Sequence, residues 1–223
     1  MNLAPLILTL QLALVTTLVL FVLAIPLSYW LSISKSKIKP IIEALVSMPL
    51  VLPPTVLGFY LLLAFSPHNT FGAWLDSWFG IRLVFSFTGL VVASCIYSLP
   101  FMVQPIQSGL ASIPSSFTEA ASLLGKSSLS TLFYVLLPNI KPSIITALVL
   151  TFAHTVGEFG VVLMIGGNIP GRTKVASIAV YDEVESLNYA LANKYSLVLV
   201  ILSFITLLTV YMINGGHLKR LMR

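Results

Sequence analysis

The chain has 223 residues, of which 57% are hydrophobic and 9% charged, with a mean hydropathy of +1.00. A soluble domain carries about 25% charged residues, so this balance excludes one and points to an integral membrane protein. The net charge of +5 comes from basic residues dispersed among segments that flank apolar runs, which excludes nucleic acid as a partner and makes the lipid bilayer the surroundings to reason from.

A membrane-crossing helix needs about 20 mostly apolar residues. Five stretches qualify: residues 6–33, 41–65, 83–106, 143–165 and 195–213. None alternates polar with apolar residues as a strand-built barrel would. The expected fold is therefore an all-α integral membrane protein of about five transmembrane helices, one domain over residues 1–223, with linkers at 34–40, 66–82 and 111–142. The first stretch has no Lys or Arg ahead of it, so it lacks the basic start of a secretory signal and is expected to be a retained span. Pro49, Pro53 and Pro54 fall in the second, and Pro100 and Pro105 in the third. Each removes a backbone donor, and carbonyls freed at membrane depth need protein or water around them. These spans are expected either to face a pathway or to kink for packing. Cys95 is the sole cysteine, which excludes an internal disulfide or a multi-cysteine metal site.

In the 111–142 linker, Ser116 followed by Glu119 reads as a capping box, which predicts a helix starting at Phe117. Phe117, Ala120, Ala121 and Leu124 then share one apolar face, and Gly125 is placed to end the helix in the left-handed conformation. Such a helix could lie at the lipid interface or dock on a partner. Gly125-Lys126-Ser127 looks like the end of a phosphate-binding loop. That loop needs a glycine where Ala120 stands, and the chain's aspartates, Asp76 and Asp182, both lie far from it. ATP hydrolysis by this chain is excluded.

In the fourth stretch, His154 and Glu158 are four residues apart and are expected on one helix face. They could relay protons, contact a solute, or pair with each other or with Arg172 to lock the external end of the bundle. A bare Glu158 would repel an anion, which favours the lock. No glycine-flanked nucleophile accompanies the histidine, so no catalytic residue is assigned, and no metal site either. A glycine-rich turn follows at 166–173. Residues 173–191 are too polar to span and are expected to form a short external or partly re-entrant helix within a gate segment of about 158–195. With the N-terminus outside, Lys35, Lys37, Lys39, Lys126, Lys141, Lys219, Arg220 and Arg223 fall inside, leaving Arg82, Arg172, Lys174 and Lys194 outside. The positive-inside rule thus favours N-out and C-in.

Glu119-Ala120-Ala121, three residues, Gly125, nine residues, then Val135-Leu136-Leu137-Pro138 resembles the cytoplasmic coupling loop of bacterial ABC importer permeases, with Val135 where Ile is usual. Gly157-Glu158-Phe159-Gly160 and Asn168-Ile169-Pro170-Gly171-Arg172-Thr173 look like the tetraoxyanion permeases of that family, and residues 155–185 look most like those for molybdate or tungstate. The resemblance implies an ABC importer permease fold in the bacterial or archaeal cytoplasmic membrane. It implies a homodimer of this permease, two cytoplasmic ABC ATPase subunits that bind ATP and Mg²⁺, and an external substrate-binding protein, with no cofactor in this chain. Phe117, Glu119, Ala120, Ala121, Gly125 and Pro138 would couple to the ATPase, and His154, Glu158 and Arg172 are gate or pathway candidates. Import of sulfate or thiosulfate is the alternative within the family. A proton-coupled secondary transporter is the alternative outside it, against which stands the lack of visible internal symmetry.

Overall fold

A computed structural model describes residues 1–214; Lys219, Arg220 and Arg223, expected to follow the last span, lie outside the described residues. The regular structure described is helical throughout. It comprises α1 (Ala4–Ile33), α2 (Lys39–Ser47) continued by a 3₁₀ turn (Met48–Leu50), α3 (Pro54–Phe65), α4 (Thr70–Phe79) and α5 (Phe87–Ala111). Then come α6 (Ser115–Leu123), α7 (Ser128–Thr131), a π turn (Leu132–Leu136), α8 (Leu137–Asn139), α9 (Lys141–Val156), α10 (Gly160–Gly166), α11 (Ala176–Glu185) and α12 (Tyr189–Asn214).

α1 starts where Pro5 falls in its first turn, a place where a missing N–H leaves nothing unpaired. Leu12, Thr16, Leu20, Ala24, Ser28 and Leu31 recur at helical spacing and are buried, with α5 and α9 packed along the helix. Ile7, Leu14, Leu18 and Val22 on the other side stay exposed, as a lipid-facing surface requires. Small residues let the backbones approach, and Ser28 Oγ donates to Val103 O on α5 at 3.2 Å. Two apolar clusters result. One gathers Leu31, Met102, Val103, Ile106 and Leu136 at the end where α5 passes into residues 111–142. The other gathers Leu12, Leu90, Val161, Ile165 and Ile178 at the opposite end.

Two of the five expected spans are not single helices. α1, α5 and α12 are long and apolar enough to cross a membrane, and five crossings are reached when each of two bent pairs counts as one span. Between α2 with its 3₁₀ turn and α3 the chain bends by 111°. Pro53 and Pro54 supply no N–H, and Pro53 sits at ψ 134°, so a helix cannot run through them. Pro100 and Pro105, by contrast, are contained within α5. The expected fourth span, 143–165, stops at Val156, turns over Gly157 to Phe159 and restarts as α10; its crossing pairs α7–α8 with α9 across an 80° bend. α10 turns away because it packs on α3. A Cβ on Gly58 would stand 2.8 Å from Met164 Cβ, and one on Gly160 would stand 2.9 Å from Pro54 Cβ, so both contacts require glycine.

The linker at 66–82 contains α4, which the sequence reading left unassigned. Its Phe71, Trp74, Trp78 and Phe79 are exposed, the composition of a helix at a membrane surface. The polar segment after the glycine-rich turn does form a short helix, α11, pinned to α1 by Ala176 N–H donating to Thr9 Oγ1 at 2.8 Å.

Candidate functional site

The capping box at Ser116 and Glu119 does not form. Pro114, at φ −58° and ψ 143°, takes the N-cap position itself, so α6 begins at Ser115 and Ser116 falls inside the first turn, where its side chain cannot cap. Thr118 Oγ1 instead donates to Ser115 O at 2.7 Å. The other end is as expected. Gly125 has φ +69°, its N–H donates to Ser122 O at 2.9 Å, and Lys126 N–H donates to Ala121 O at 3.0 Å. These two bonds are a Schellman closure, which satisfies carbonyls the helix end would orphan. Ser127 Oγ then accepts from Ser130 N–H at 3.3 Å and caps α7, so Gly125-Lys126-Ser127 is helix punctuation and not a phosphate cradle.

Of the face Phe117, Ala120, Ala121 and Leu124, only Ala121 is buried; Leu124 is 77% exposed, and neighbouring Leu123 90%. Leu129 and Tyr134 are exposed beside them. The sequence reading missed Leu123 and Leu129, although a large apolar residue next to serine was a visible signal. Pro138 stands in α8 and has no N–H to return. The strain is taken up by the π turn, where Leu137 N–H donates to Leu132 O, and by Asn139 Nδ2 donating to Val135 O at 2.7 Å. Residues 115–139 thus form a self-capped unit that presents apolar side chains outward.

His154 and Glu158 do not share a helix face, because α9 ends at Val156. His154 Nδ1 lies 2.9 Å from Ser98 Oγ, which lies 3.0 Å from Thr155 Oγ1, which donates to Thr151 O at 2.9 Å. Counting protons fixes the directions. Thr155 spends its hydrogen on Thr151 O, so Ser98 must donate to Thr155 and His154 Nδ1–H must donate to Ser98. The chain ends on a backbone carbonyl, which passes no proton on, and this weighs against the relay reading. The imidazole also stacks on Phe101, with centroids 4.0 Å apart, and leans on Tyr97 at 4.7 Å.

Glu158 is buried and, among the described residues, neither carboxylate oxygen has a hydrogen-bond partner, although Ser94 is adjacent. The expected pairing with His154 or Arg172 is absent: His154 is committed to Ser98, and Arg172 lies with Arg82 and His68 on another cleft. The backbone of Glu158 is what ties the segment down, its carbonyl accepting from Ser177 Oγ of α11 at 2.6 Å. His154, Glu158, Tyr97, Pro54 and Thr55 line a cavity of about 460 Å³. Ser98 and Thr55 carry no motif, and only the fold brings them to residues about a hundred positions or less away in the chain. A partnerless buried carboxyl is costly, and such groups concentrate where a protein works.

The turn after α10 is strapped from several sides. Thr173 is fully buried; its Oγ1 donates to Gly166 O at 2.7 Å and accepts from Ile169 N–H at 2.9 Å. Asn168 Nδ2 donates to Asp182 at 2.9 Å, and Lys174 forms an ion pair with the same carboxylate. Arg172 projects from this frame and has no ionic partner among the described residues.

A bundle of long apolar helices with two spans bent near prolines is the architecture of a multi-pass membrane protein. Residues 24–223 match the family of binding-protein-dependent transport system inner membrane components, and the chain belongs to that family of ABC importer permeases. It is 48% identical over 211 residues to the molybdenum transport system permease protein ModB of Azotobacter vinelandii, covering 94% of this chain and 93% of that one. It is 34% identical to YvgM of Bacillus subtilis, a putative molybdenum transport system permease protein, covering 91% and 89%. The fold matches a subunit of a bacterial ABC transporter for alginate with a TM-score of 0.77 at 17% identity, over 95% of this chain and 78% of that one.

Proposed function

We propose that this chain is the permease subunit of an ATP-driven molybdate importer, multi-pass in the cytoplasmic membrane with its N-terminus outside. Two copies enclose the pathway, two cytoplasmic ATPase subunits bind ATP and Mg²⁺, and an external binding protein delivers the anion. The observation that carries the reading is α6: a short helix, closed at Gly125, whose Phe117, Leu123 and Leu124 are exposed at the end of a membrane bundle. Apolar residues held rigidly outward on a loop are what a groove on another protein would bury. Phe117, Glu119, Ala120, Ala121 and Gly125 form the docking element, and Pro138 sets the bend that carries its motion into α9. Similarity to two molybdenum permeases supports molybdate over sulfate.

Near Glu158, two segments from different helices meet at a broken backbone, which suits a gate that changes partners as the subunits move. The test is uptake of labelled molybdate into proteoliposomes holding permease, ATPase and binding protein. Uptake that requires ATP and resists a large excess of sulfate is expected. Sulfate uptake that excludes molybdate would move the assignment to sulfate, and uptake driven by a pH gradient without ATP would overturn it.

A further inference from the structure

At the end of the bundle opposite α6 lies a cleft of about 750 Å³, walled by the turns at 66–68, 82–86 and 169–172. Its ionisable side chains are His68, Arg82 and Arg172, and among the described residues that line it none is acidic. Asp76 holds Arg82 from outside the cleft, both carboxylate oxygens taking Nε–H at 2.9 and 3.1 Å. The two amino groups of that guanidinium stay available, and Arg172 has no ionic partner at all among the described residues.

The walls are fixed before any ligand arrives. Phe85 N–H donates to Ile165 O at 2.9 Å, and the Phe85 ring lies so close to Gly167 that a Cβ there would fall 2.6 Å from it. Phe85 has φ 58° and Asn168 φ 57°, two of three non-glycine residues described in the left-handed region. Phenylalanine is rarely held there, and such strain persists only where surroundings impose it, most often at functional sites. Thr173, Asn168 and Asp182 impose it on the Arg172 side.

The geometry points to this cleft as a binding site for a free tetrahedral oxyanion, a station that each permease copy offers before the anion enters the shared pathway. The inference rests on the oxyanion-import reading above. Guanidinium groups present planar donor pairs that match oxyanion geometry. A cleft lined by one sign of charge raises the local concentration of the opposite ion by roughly 10- to 10³-fold. The volume exceeds what a bare tetraoxyanion fills, so the ion keeps water, binds weakly, and is taken with little preference between molybdate and sulfate. Selection then belongs to the binding protein.

The experiment is equilibrium dialysis of labelled molybdate, and separately sulfate, against the permease–ATPase complex in nanodiscs of phosphatidylcholine, without binding protein, at low and high chloride. Saturable binding of both anions that high chloride abolishes is expected. Arg172→Gln should weaken it by about tenfold or more, and Arg172→Lys should restore part of it. Unchanged binding in Arg172→Gln, or none in the wild type, overturns the station. Phosphatidylglycerol in place of phosphatidylcholine should leave molybdate binding intact; its loss would make a lipid headgroup the occupant and overturn the free-ion assignment. If Arg172→Gln weakens docking of the binding protein while dialysis is unchanged, the ligand is an acidic protein surface and the proposal again fails. Wild-type uptake assays run in parallel separate the two claims, since a complete transporter that imports no tetraoxyanion refutes the import reading, whereas import without dialysis binding refutes the station alone.

Discussion

The loop that leaves α5 after Ala111 and the turn from Gly166 to Lys174, at the other end of the bundle, are held by opposite means. The first is closed by short-range bonds, made by the Gly125 and Lys126 N–H groups and by the side chains of Ser127 and Asn139 to residues of the same loop, and leaves Leu123, Leu124 and Leu129 exposed. The second is strapped by side chains: Thr173 Oγ1 holds the backbone of Gly166 and Ile169, and Asn168 and Lys174 reach the Asp182 carboxylate of α11. A loop closed by its own local bonds and anchored to the bundle through Leu132 and Leu136 can move as one piece when a partner grips it. A turn strapped to α10 and α11 moves only when those helices move. The difference separates a transmitting end from an end that holds a shape.

Breaking the transmitting end should have the largest effect. Gly125→Val places a β-branched residue at φ +69°, where an L residue pays roughly 1–2 kcal/mol and a branched one more. A Cβ at Gly125 meets nothing within 4 Å, so the damage is confined to the backbone closure and the spans should insert normally. Co-purification of the ATPase should be lost and molybdate uptake should fall by more than about tenfold. Gly125→Asn, which tolerates the left-handed region, should retain most of both. Full assembly and transport in Gly125→Val would sink the coupling role.

Thr173→Val comes next. It preserves shape but orphans the buried Gly166 O, at about 1–3 kcal/mol, and the half-buried Ile169 N–H, at less. A lower melting temperature of the purified complex is expected, together with faster amide exchange confined to residues 166–174. ATPase association should be untouched, because α6 is at the far end. Loss of that association would mean the two ends are not separable.

How far these ends were legible in the sequence follows from the same contrast. Gly125 and the apolar face of α6 were readable because helix ends are set by residues within a few positions. The start was misread, since Ser116 and Glu119 fit a capping box while Pro114, two residues earlier, had already set the first turn. The break at Pro53 was marked by the prolines, though not its 111° angle, whereas the one at Gly157 to Phe159 was hidden inside an apolar run, where composition reports burial but not direction. The partners of His154 and Glu158 were out of reach: Ser98 is brought in by the packing of α5 on α9, and i, i+4 spacing means nothing once the helix has ended at Val156.

Glu158→Gln probes the gate on the holding side. Among the described residues the carboxylate forms no ion pair and meets only the neighbouring Ser94, which an isosteric amide can meet equally well, so basal ATP hydrolysis without binding protein should change by less than about twofold. A large rise would restore the lock that pairing was expected to supply. Loss of transport at unchanged basal hydrolysis and assembly would assign the carboxyl to the pathway.

The smallest effect should come from Glu119→Ala, and it is the sharpest question about α6. The side chain is exposed and forms no bond among the described residues, and alanine is at least as good a helix former, so the helix itself should change by less than about 0.5 kcal/mol. Any effect must therefore arise across the interface with the ATPase. An exposed ion pair is worth about 0–1 kcal/mol, which amounts to a weakening of at most about fivefold, and salt screens it. Titrating the ATPase onto wild-type and Glu119→Ala permease at low and high salt should thus show a modest gap that closes as salt rises. A gap that survives high salt would place Glu119 in a desolvated contact. A loss of α6 helicity would mean that the carboxylate caps the helix after all.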